Sequence, residues 1–132
     1  MAQRKYLQTN SPWEPVVGYS RAVKVGPFIT VSGTTALDPS GQLVGEGDVG
    51  RQTRQCLEIL RGVLGHLGSR MEHVVRTRMY VTNIDHWAEV GRVHGEYFGK
   101  IRPTTSMVQV VRLIDPRMLI EIEADAIVTE EL

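Results

Sequence analysis

The last apolar segment of the chain, LIEIEADAIV at residues 119–128, has a strict period of two. Its apolar positions are Ile120, Ile122, Ala124, Ala126 and Val128, and its acidic positions are Glu121, Glu123 and Asp125. Successive side chains of a β-strand point to opposite faces, so this pattern predicts a strand with one apolar face and one carboxylate face. Burying three unpaired carboxylates is energetically unfavourable, so their face must meet water, basic side chains such as Arg76 and Arg78, or another subunit.

Two segments have the helical period instead. Apolar residues recur every three or four positions between Asp48, which can cap a first turn, and Gly68, which can end a helix. A second helix is predicted to open at Asn83 and Asp85 and to stop before Gly99. Its apolar stripe consists of Trp87, Val90, His94, Tyr97 and Phe98. Each helix therefore presents one apolar face to a core.

The remaining β-rich segments complete an α+β fold. Residues 18–33 predict a hairpin that turns at Gly26 and Pro27, and residues 74–81 and 105–113 predict two further strands. The predicted order is β-β-(β)-α-β-α-β-β, with the bracketed strand optional. We therefore expect a mixed sheet that is covered on one face by two helices.

The length and charge of the chain narrow the function classes. A chain of 132 residues, 42% of them hydrophobic, is the size of one domain, which we place at residues 1–132. Its 15 Lys and Arg balance its 15 Asp and Glu, so the long-range field that attracts nucleic acid or anionic lipid is missing. The first residues lack the apolar core of a signal peptide, and no apolar run is long enough to span a bilayer. We expect a cytoplasmic protein that binds neither nucleic acid nor membranes.

Cysteine and histidine follow no metal-binding pattern. The single cysteine and the four histidines have no CxxC or HExxH spacing, so we expect no metal site. Cys56 lies on the apolar stripe of the first helix and is interpreted as a buried small residue rather than a nucleophile. His94 lies on the stripe of the second helix and is interpreted as a core or interface histidine.

Four segments together are similar to one known family. They are GYSRAVKVG at residues 18–26, FITVSGTTALDPSG at 28–41, RPTTSMVQVVRL at 102–113 and IEIEADAIV at 120–128. From about Gly18 to Val128 the chain resembles the RidA (YjgF) family, which is also called L-PSP endoribonuclease-like. The resemblance implies a chorismate-mutase-like α+β fold, a homotrimer around a closed core of sheets, and a cleft between each pair of adjacent subunits.

The resemblance also implies an activity. Members of the family hydrolyse reactive enamine or imine intermediates, which pyridoxal-phosphate enzymes release from serine or threonine, to 2-keto acids and ammonia, without a cofactor of their own. Glu121 matches the family's water-positioning glutamate, although a strand carboxylate is otherwise more often a salt-bridged interface residue. The matched substrate-binding positions are Tyr19, the Ser32-Gly33 pair, Met107 at a backbone contact, and Gly91 in place of an asparagine often found on the second helix.

Thr105 departs from the family pattern, because the family has an arginine there that grips the substrate carboxylate. A guanidinium forms two charge-assisted hydrogen bonds, each worth roughly 1.5–3 kcal/mol, whereas a threonine hydroxyl offers one neutral donor. Arg102 precedes Pro103 and is expected to be extended. By strand alternation its side chain does not point where that of Thr105 points, so Arg102 substitutes for the missing arginine only if the chain bends between them. The chain is thereby identified as a member of an arginine-lacking branch.

Three functions are compatible with the sequence. The first is a trimeric hydrolase of a small imine, enamine or related carbonyl compound. The second is a trimer that holds a small metabolite without chemistry. The third is an endoribonuclease, which the family's older name suggests and which the neutral charge, the acidic last strand and the lack of a histidine pair argue against.

Overall fold

The computed structural model describes residues 3–129, which form six strands and two helices around one sheet. The strands are β1 (Arg4–Leu7), β2 (Ala22–Val25), β3 (Phe28–Thr34), β4 (Val74–Val81), β5 (Thr104–Gln109) and β6 (Ile120–Ile127). The helices are α1 (Val49–His66) and α2 (Trp87–Phe98), and short helical turns lie at Glu14–Gly18, Met71–His73 and Ile84–His86. The strand order across the sheet is β1-β2-β3-β6-β4-β5.

The acidic strand β6 lies in the interior of the sheet. It pairs antiparallel with β3 on one side and with β4 on the other, while β4 and β5 pair parallel, so the sheet is mixed. The apolar residues of β6 are buried in the core, and its three carboxylates lie on the opposite side of the sheet, which we call the open face. The predicted division of this strand into two faces is confirmed.

Both helices pack on the buried side of the sheet. The Asp48 side chain accepts a hydrogen bond from the Arg51 N–H at 3.0 Å and so caps α1, as the sequence predicts. Gly68 follows α1 in the left-handed conformation, with φ of +75°. Helix α1 contacts α2, β3 and β6, and Leu57 and Leu64 are among its fully buried side chains. The predicted α+β fold is confirmed.

A bulge in β3 changes which of its side chains face the core. Val31 pairs with Ala124 and Thr34 pairs with Ile122, so three steps along β3 match two steps along β6. Val31 and Thr34 are both buried, although they are an odd number of residues apart, because the extra residue restores the alternation. The two residues between them lie at the open face.

Three strand predictions differ from the structure. Strand β1, at the edge of the sheet beside β2, lies outside the predicted strands because RKYL has no two-residue period. The optional strand before α1 is reduced to an isolated bridge between Leu37 and Leu43. The strand predicted at residues 105–113 ends at Gln109, because its neighbour β4 ends at Val81 and offers no further partner.

The predictions for Arg102 and Trp87 are also wrong. Arg102 is left-handed, with φ of +57°, rather than extended. Its N–H donates to the Phe98 carbonyl at 2.8 Å, so satisfying a carbonyl at the end of α2 selects this conformation. Trp87 is 62% exposed because it is the first residue of α2, at the end of the stripe and away from the core.

Gln52 fixes the segment that leads into β6. This residue of α1 is fully buried, and its Nε2 donates to the Gly45 carbonyl at 3.1 Å and to the Arg117 carbonyl at 3.0 Å. Its Oε1 accepts from the Leu119 N–H at 2.8 Å. These bonds place the start of β6, and therefore Glu121, relative to the helix layer.

Replacing Gln52 by leucine preserves most of the side-chain volume but leaves the Arg117 carbonyl and the Leu119 N–H without the partner that Gln52 supplies, whereas the Gly45 carbonyl still accepts from the Asp48 N–H at 2.9 Å. Each buried unsatisfied group costs roughly 1–3 kcal/mol, so we expect Q52L to lower the free energy of unfolding by about 2 kcal/mol or more, measured in urea. The matched control is Q55L, because Gln55 makes one such bond, to the Leu37 carbonyl at 3.1 Å, and is half-buried. Equal losses in the two variants would contradict this role of Gln52.

Candidate functional site

The site residues predicted from the sequence fall into two groups. Ser32 and Gly33 lie in the β3 bulge at the open face, and Glu121 lies over Gly33. Tyr19 belongs with them because it precedes Ser20, whose carbonyl accepts from the Ser32 hydroxyl, and because it interacts with Arg21. Gly91, Thr105 and Met107 lie on the helix side, because Thr105 and Met107 pair with the buried residues Thr77 and Met79 of β4 and Gly91 belongs to α2.

The carboxylate of Glu121 lies directly over Gly33. A Cβ atom at Gly33 would be 2.2 Å from Oε2 and 2.7 Å from Cδ of Glu121, so the approach requires glycine. Among the residues that the structure describes, neither carboxylate oxygen has a hydrogen-bond partner. The oxygens of Glu121 are therefore available to water or to a ligand.

The environment of Glu121 favours its protonated form. Burial raises the pKa of the Glu121 carboxyl above its ordinary value of 4.5, and the neighbouring Glu123 carboxylate raises it further, while Arg21 opposes both effects. A carboxylate with raised proton affinity is a better proton acceptor near neutral pH than an ordinary glutamate. This geometry suits a group that takes a proton from water and passes it on.

Main-chain hydrogen bonds orient Ser32 and Tyr19. The Ser32 hydroxyl donates to the Ser20 carbonyl at 2.7 Å, so it offers a ligand its lone pairs rather than its proton. The Tyr19 N–H donates to the Glu14 carbonyl at 3.0 Å. Gly18, with φ of +88°, turns the chain out of the helical turn so that Tyr19 becomes extended.

Arg21 belongs to the first group, although the sequence-based site does not include it. Its Nη2 donates to the Gly33 carbonyl at 2.5 Å, and its charge interacts with both Tyr19 and Glu121. Burial lowers the pKa of the Arg21 guanidinium, which nevertheless stays charged at neutral pH. Alternation could have found it, because Arg21 precedes the core residue Ala22 and so points to the same side as the carboxylates.

The second group is organised by a hydrogen-bond chain. The Thr105 hydroxyl is 2.7 Å from the hydroxyl of Thr77, which is 2.9 Å from Nε2 of His94. Thr77 is fully buried, and burial lowers the pKa of His94, so the imidazole is neutral at neutral pH. Gly91 lies one turn before His94 on α2 and therefore on the same side of the helix. Sequence spacing gave no signal for Thr77, which reaches its partners from another strand.

Thr105 and Glu121 cannot meet within one chain. Strand β4 separates them: Thr105 pairs with Thr77, which pairs with Ala124, three residues from Glu121 on β6. Two strand spacings and three residue steps put their backbones roughly 14 Å apart, and their side chains point to opposite faces. A cleft that contains both must be formed by two chains.

The predicted structural roles of Cys56 and His94 are confirmed. Cys56 is fully buried, its thiol donates to the Thr34 carbonyl at 3.3 Å, and burial raises the thiol pKa, so it remains an unreactive thiol. His94 is a buried histidine packed against Phe98, with ring centroids 4.7 Å apart.

Within residues 3–129, no group of three or more His, Cys, Asp or Glu could hold a metal ion. None of the helices in that range could cross a membrane.

Comparison with known proteins identifies the family. The sequence model of the family described as Endoribonuclease L-PSP matches residues 9–128. The chain belongs to this family. A solved structure, that of Rv2704 from Mycobacterium tuberculosis, is described as a member of the highly conserved YjgF/YER057c/UK114 family. It is 49% identical in sequence, the match covers 96% of this chain and 100% of that chain, and the TM-score is 0.87. The predicted RidA (YjgF) resemblance is thereby confirmed.

Curated relatives within the L-PSP family cover most of the chain as well. The RutC family protein PYRAB12510 of Pyrococcus abyssi is 35% identical over 127 residues, which are 96% of this chain and 98% of that protein. The 3-aminoacrylate deaminase RutC of Acinetobacter baylyi is 32% identical over 112 residues, which are 85% of this chain and 88% of that protein. The chain is therefore similar to these relatives over nearly their whole length.

Gly33→Ala tests the close approach of Glu121. The neighbouring atoms are the flexible end of a side chain, so we expect G33A to fold and Glu121 to turn toward water. Release from burial should then lower the titration midpoint of Glu121, measured by carboxyl ¹³C NMR. The control is G62A, because a Cβ at Gly62 of α1 meets nothing within 4 Å. An unchanged Glu121 midpoint in G33A would contradict the geometry.

The raised pKa of Glu121 also predicts how stability depends on pH. The pKa of Glu121 is higher in the folded chain than in the unfolded chain, so ionisation of this carboxyl destabilises the fold. The free energy of unfolding therefore falls as pH rises from the unfolded-state pKa through the folded-state pKa. We expect E121Q to melt at a higher temperature than the wild type at pH 7, and the difference to vanish once pH falls below the ordinary value of 4.5.

Asp115 provides a control, because its pKa is lowered in the folded chain whereas that of Glu121 is raised. Hydrogen bonds from Arg117 lower the pKa of Asp115 to about 2, so its contribution to stability is present above its ordinary pKa of 3.8 and is lost as pH falls toward 2. D115N should therefore melt at or below the wild-type temperature at pH 7. A lower melting temperature for E121Q at pH 7 would refute the assigned environment of Glu121.

Proposed function

We propose that the protein is a hydrolase of small reactive imines or enamines that works in clefts between the subunits of a homotrimer. The observation that carries the proposal is the free carboxylate of Glu121, held over Gly33 beside Arg21 with raised proton affinity. Membership of the L-PSP family supports a small-molecule deaminase or hydrolase role in general. The similarity to a relative named as a 3-aminoacrylate deaminase supports the imine class.

The chemistry follows from the position of one proton acceptor. Glu121 removes a proton from water, the oxygen of that water adds to the carbon of the C=N bond, and the nitrogen takes up the proton. The hydroxyl of this adduct then gives its proton to the nitrogen as the C–N bond breaks, which releases ammonia and leaves the C=O of a carbonyl compound, so one water is consumed for each imine. An enamine first takes a proton on carbon and loses one from nitrogen to become the imine. The reaction needs no redox partner, and the lone pairs of Ser32 can accept a hydrogen bond from the substrate N–H.

The trimer is supported by the separation of the two groups and by the family. Thr105 and Glu121 lie on opposite faces, so only neighbouring chains can bring them into one cleft. The family fold is also consistent with oligomer formation. Light scattering should give three times the 14.8 kDa mass of the chain.

Thr105 influences which imines are substrates. Its hydroxyl already shares a hydrogen bond with Thr77, so it gives a substrate carboxylate little beyond one neutral contact. An amino-acid-derived imine such as 2-aminoacrylate is therefore expected to bind weakly. Imines that do not depend on a carboxylate contact at this position fit the cleft better.

Replacing Glu121 tests the proposed catalytic role. The panel contains imines without a carboxylate, generated in place by amine oxidases, and carboxylate-bearing imines, generated by amino-acid oxidases or dehydratases, and each is followed by the release of ammonia. We expect E121Q to lose about 100-fold or more of the wild-type acceleration, because proton transfer by a positioned group contributes about 10²–10⁴-fold. D125N is the matched control, since Asp125 lies on the same face of β6, four residues away. No acceleration by the wild type across the panel, or equal rates in wild type and E121Q, would refute the role.

Replacing Thr105 by arginine tests the substrate inference. Each added charge-assisted hydrogen bond is worth roughly 1.5–3 kcal/mol, so T105R is expected to lower KM for carboxylate-bearing imines by about 10- to 100-fold. The control is T105V, which removes the hydroxyl without adding charge. If KM for these imines is the same in T105R and T105V, the cleft does not place the substrate carboxylate near this residue.

A second candidate function is binding without chemistry, which the threonine at position 105 favours. A ligand that binds only the folded state raises the melting temperature by mass action. A thermal-shift screen of keto acids and other small carbonyl metabolites therefore separates the two functions. A shift that is retained in E121Q, together with an absence of turnover, favours the binding protein.

A further inference from the structure

One edge of the Arg21 guanidinium can donate two hydrogen bonds, but it donates one to the residues that the structure describes. Nη2 donates to the Gly33 carbonyl, while Nε, on the same edge of the group, is buried and has no acceptor among the residues that the structure describes. A buried N–H without a partner is rare and costly in folded proteins. The edge formed by Nε and Nη2 is one that binds carboxylates.

Two carboxylates interact with Arg21, and the oxygens of one of them already accept hydrogen bonds. Glu14 is buried, and its two oxygens accept hydrogen bonds from the N–H and the hydroxyl of Thr9. Glu121, in contrast, has no hydrogen bond to any of the described residues. Because Glu121 and Arg21 both contact Gly33, the free carboxylate and the guanidinium with the unpartnered Nε–H lie next to the same residue, and their charges interact.

We propose that Arg21 is a positioning residue for Glu121: its Nε–H takes a Glu121 oxygen as acceptor while Nη2 stays on the Gly33 carbonyl, which holds the carboxylate over Gly33 for proton transfer. The inference deepens the proposed function and rests on it for the catalytic part. Arg21 thereby acts through Glu121 and does not touch the substrate.

The electrostatics around Glu121 make the role measurable. Glu123 on β6 and Tyr80 on β4 are its acidic neighbours on the sheet, and Cys56 of α1 faces it from the core side. Arg21 is the cation that lowers the pKa of Glu121, while burial and Glu123 raise it. Loss of the Arg21 charge should therefore raise the pH at which Glu121 becomes ionised.

The first experiment does not depend on activity. Carboxyl ¹³C NMR follows the titration of Glu121 in wild type, R21Q, R21K and R78Q. We expect a higher midpoint in R21Q and a midpoint close to the wild type in R21K, which keeps the charge. R78Q is the matched control, because Arg78 pairs with Glu123 and Asp125 on the same face. If the midpoint in R21Q moves no more than in R78Q, the proposal is overturned.

The second experiment uses the imine assay across pH. We expect R21Q to lower kcat by roughly 10- to 100-fold, as misplacement of a catalytic group does, to move the acidic limb of the kcat profile to higher pH, and to leave KM within about twofold. A raised KM with unchanged kcat would instead assign Arg21 to substrate binding and overturn the proposal. An inactive wild type refutes the proposed function alone, because the NMR titration still decides the contact. R21K, which keeps a cation, covers the case in which R21Q fails to fold.

Discussion

The structure depends on β6, an interior strand that separates apolar side chains from carboxylates. Because β6 pairs with β3 and β4, its backbone is hydrogen-bonded on both edges, and only its two faces differ. The apolar face needs the helix layer, and Gln52 fixes the strand to that layer. The acidic face needs partners from elsewhere: Tyr80 donates to Glu123 at 2.9 Å, and Arg78 lies within 4 Å of Glu123 and Asp125. Glu121 alone of the three is left without such a partner among the described residues.

The β3 bulge converts this free carboxylate into a candidate site. Without the extra residue, one of the pair Val31 and Thr34 would leave the core, and Gly33 would not lie beneath Glu121. The bulge therefore serves packing and positioning together, as bulges near functional sites often do. The Arg21 side chain then reaches the Gly33 carbonyl and brings a cation to the same point. A weakly stabilised, partly buried carboxylate is a feature that function explains better than stability does.

The two groups of predicted residues are separated within one chain, so the proposed site needs two subunits. Glu121 projects from the open face, whereas Thr105 lies on the helix side and belongs to a chain of hydrogen bonds that ends at the buried His94. In the proposed trimer, one subunit supplies the proton acceptor and its neighbour supplies the wall that carries Thr105. Under the proposed function, the threonine at position 105 alters this wall and leaves the group around Glu121 intact, so substrate choice and proton transfer would vary independently.

The sequence by itself determined the two helices, the strands β2, β3, β4 and β6, and the two faces of β6, because these follow from local periods and caps. The family resemblance predicts one site that contains Glu121, Tyr19, Ser32, Gly33, Gly91, Thr105 and Met107, and this site stays a prediction. Only the tertiary structure decided the edge strand β1, the early end of β5 and the left-handed Arg102, since each depends on a hydrogen-bond partner distant in the local pattern. It likewise decided the contact of Arg21 with Gly33 and the link from Thr105 to His94. The period of the sequence predicts on which face of the sheet a side chain lies, but strand register and the bulge in β3 decide which residues it contacts there.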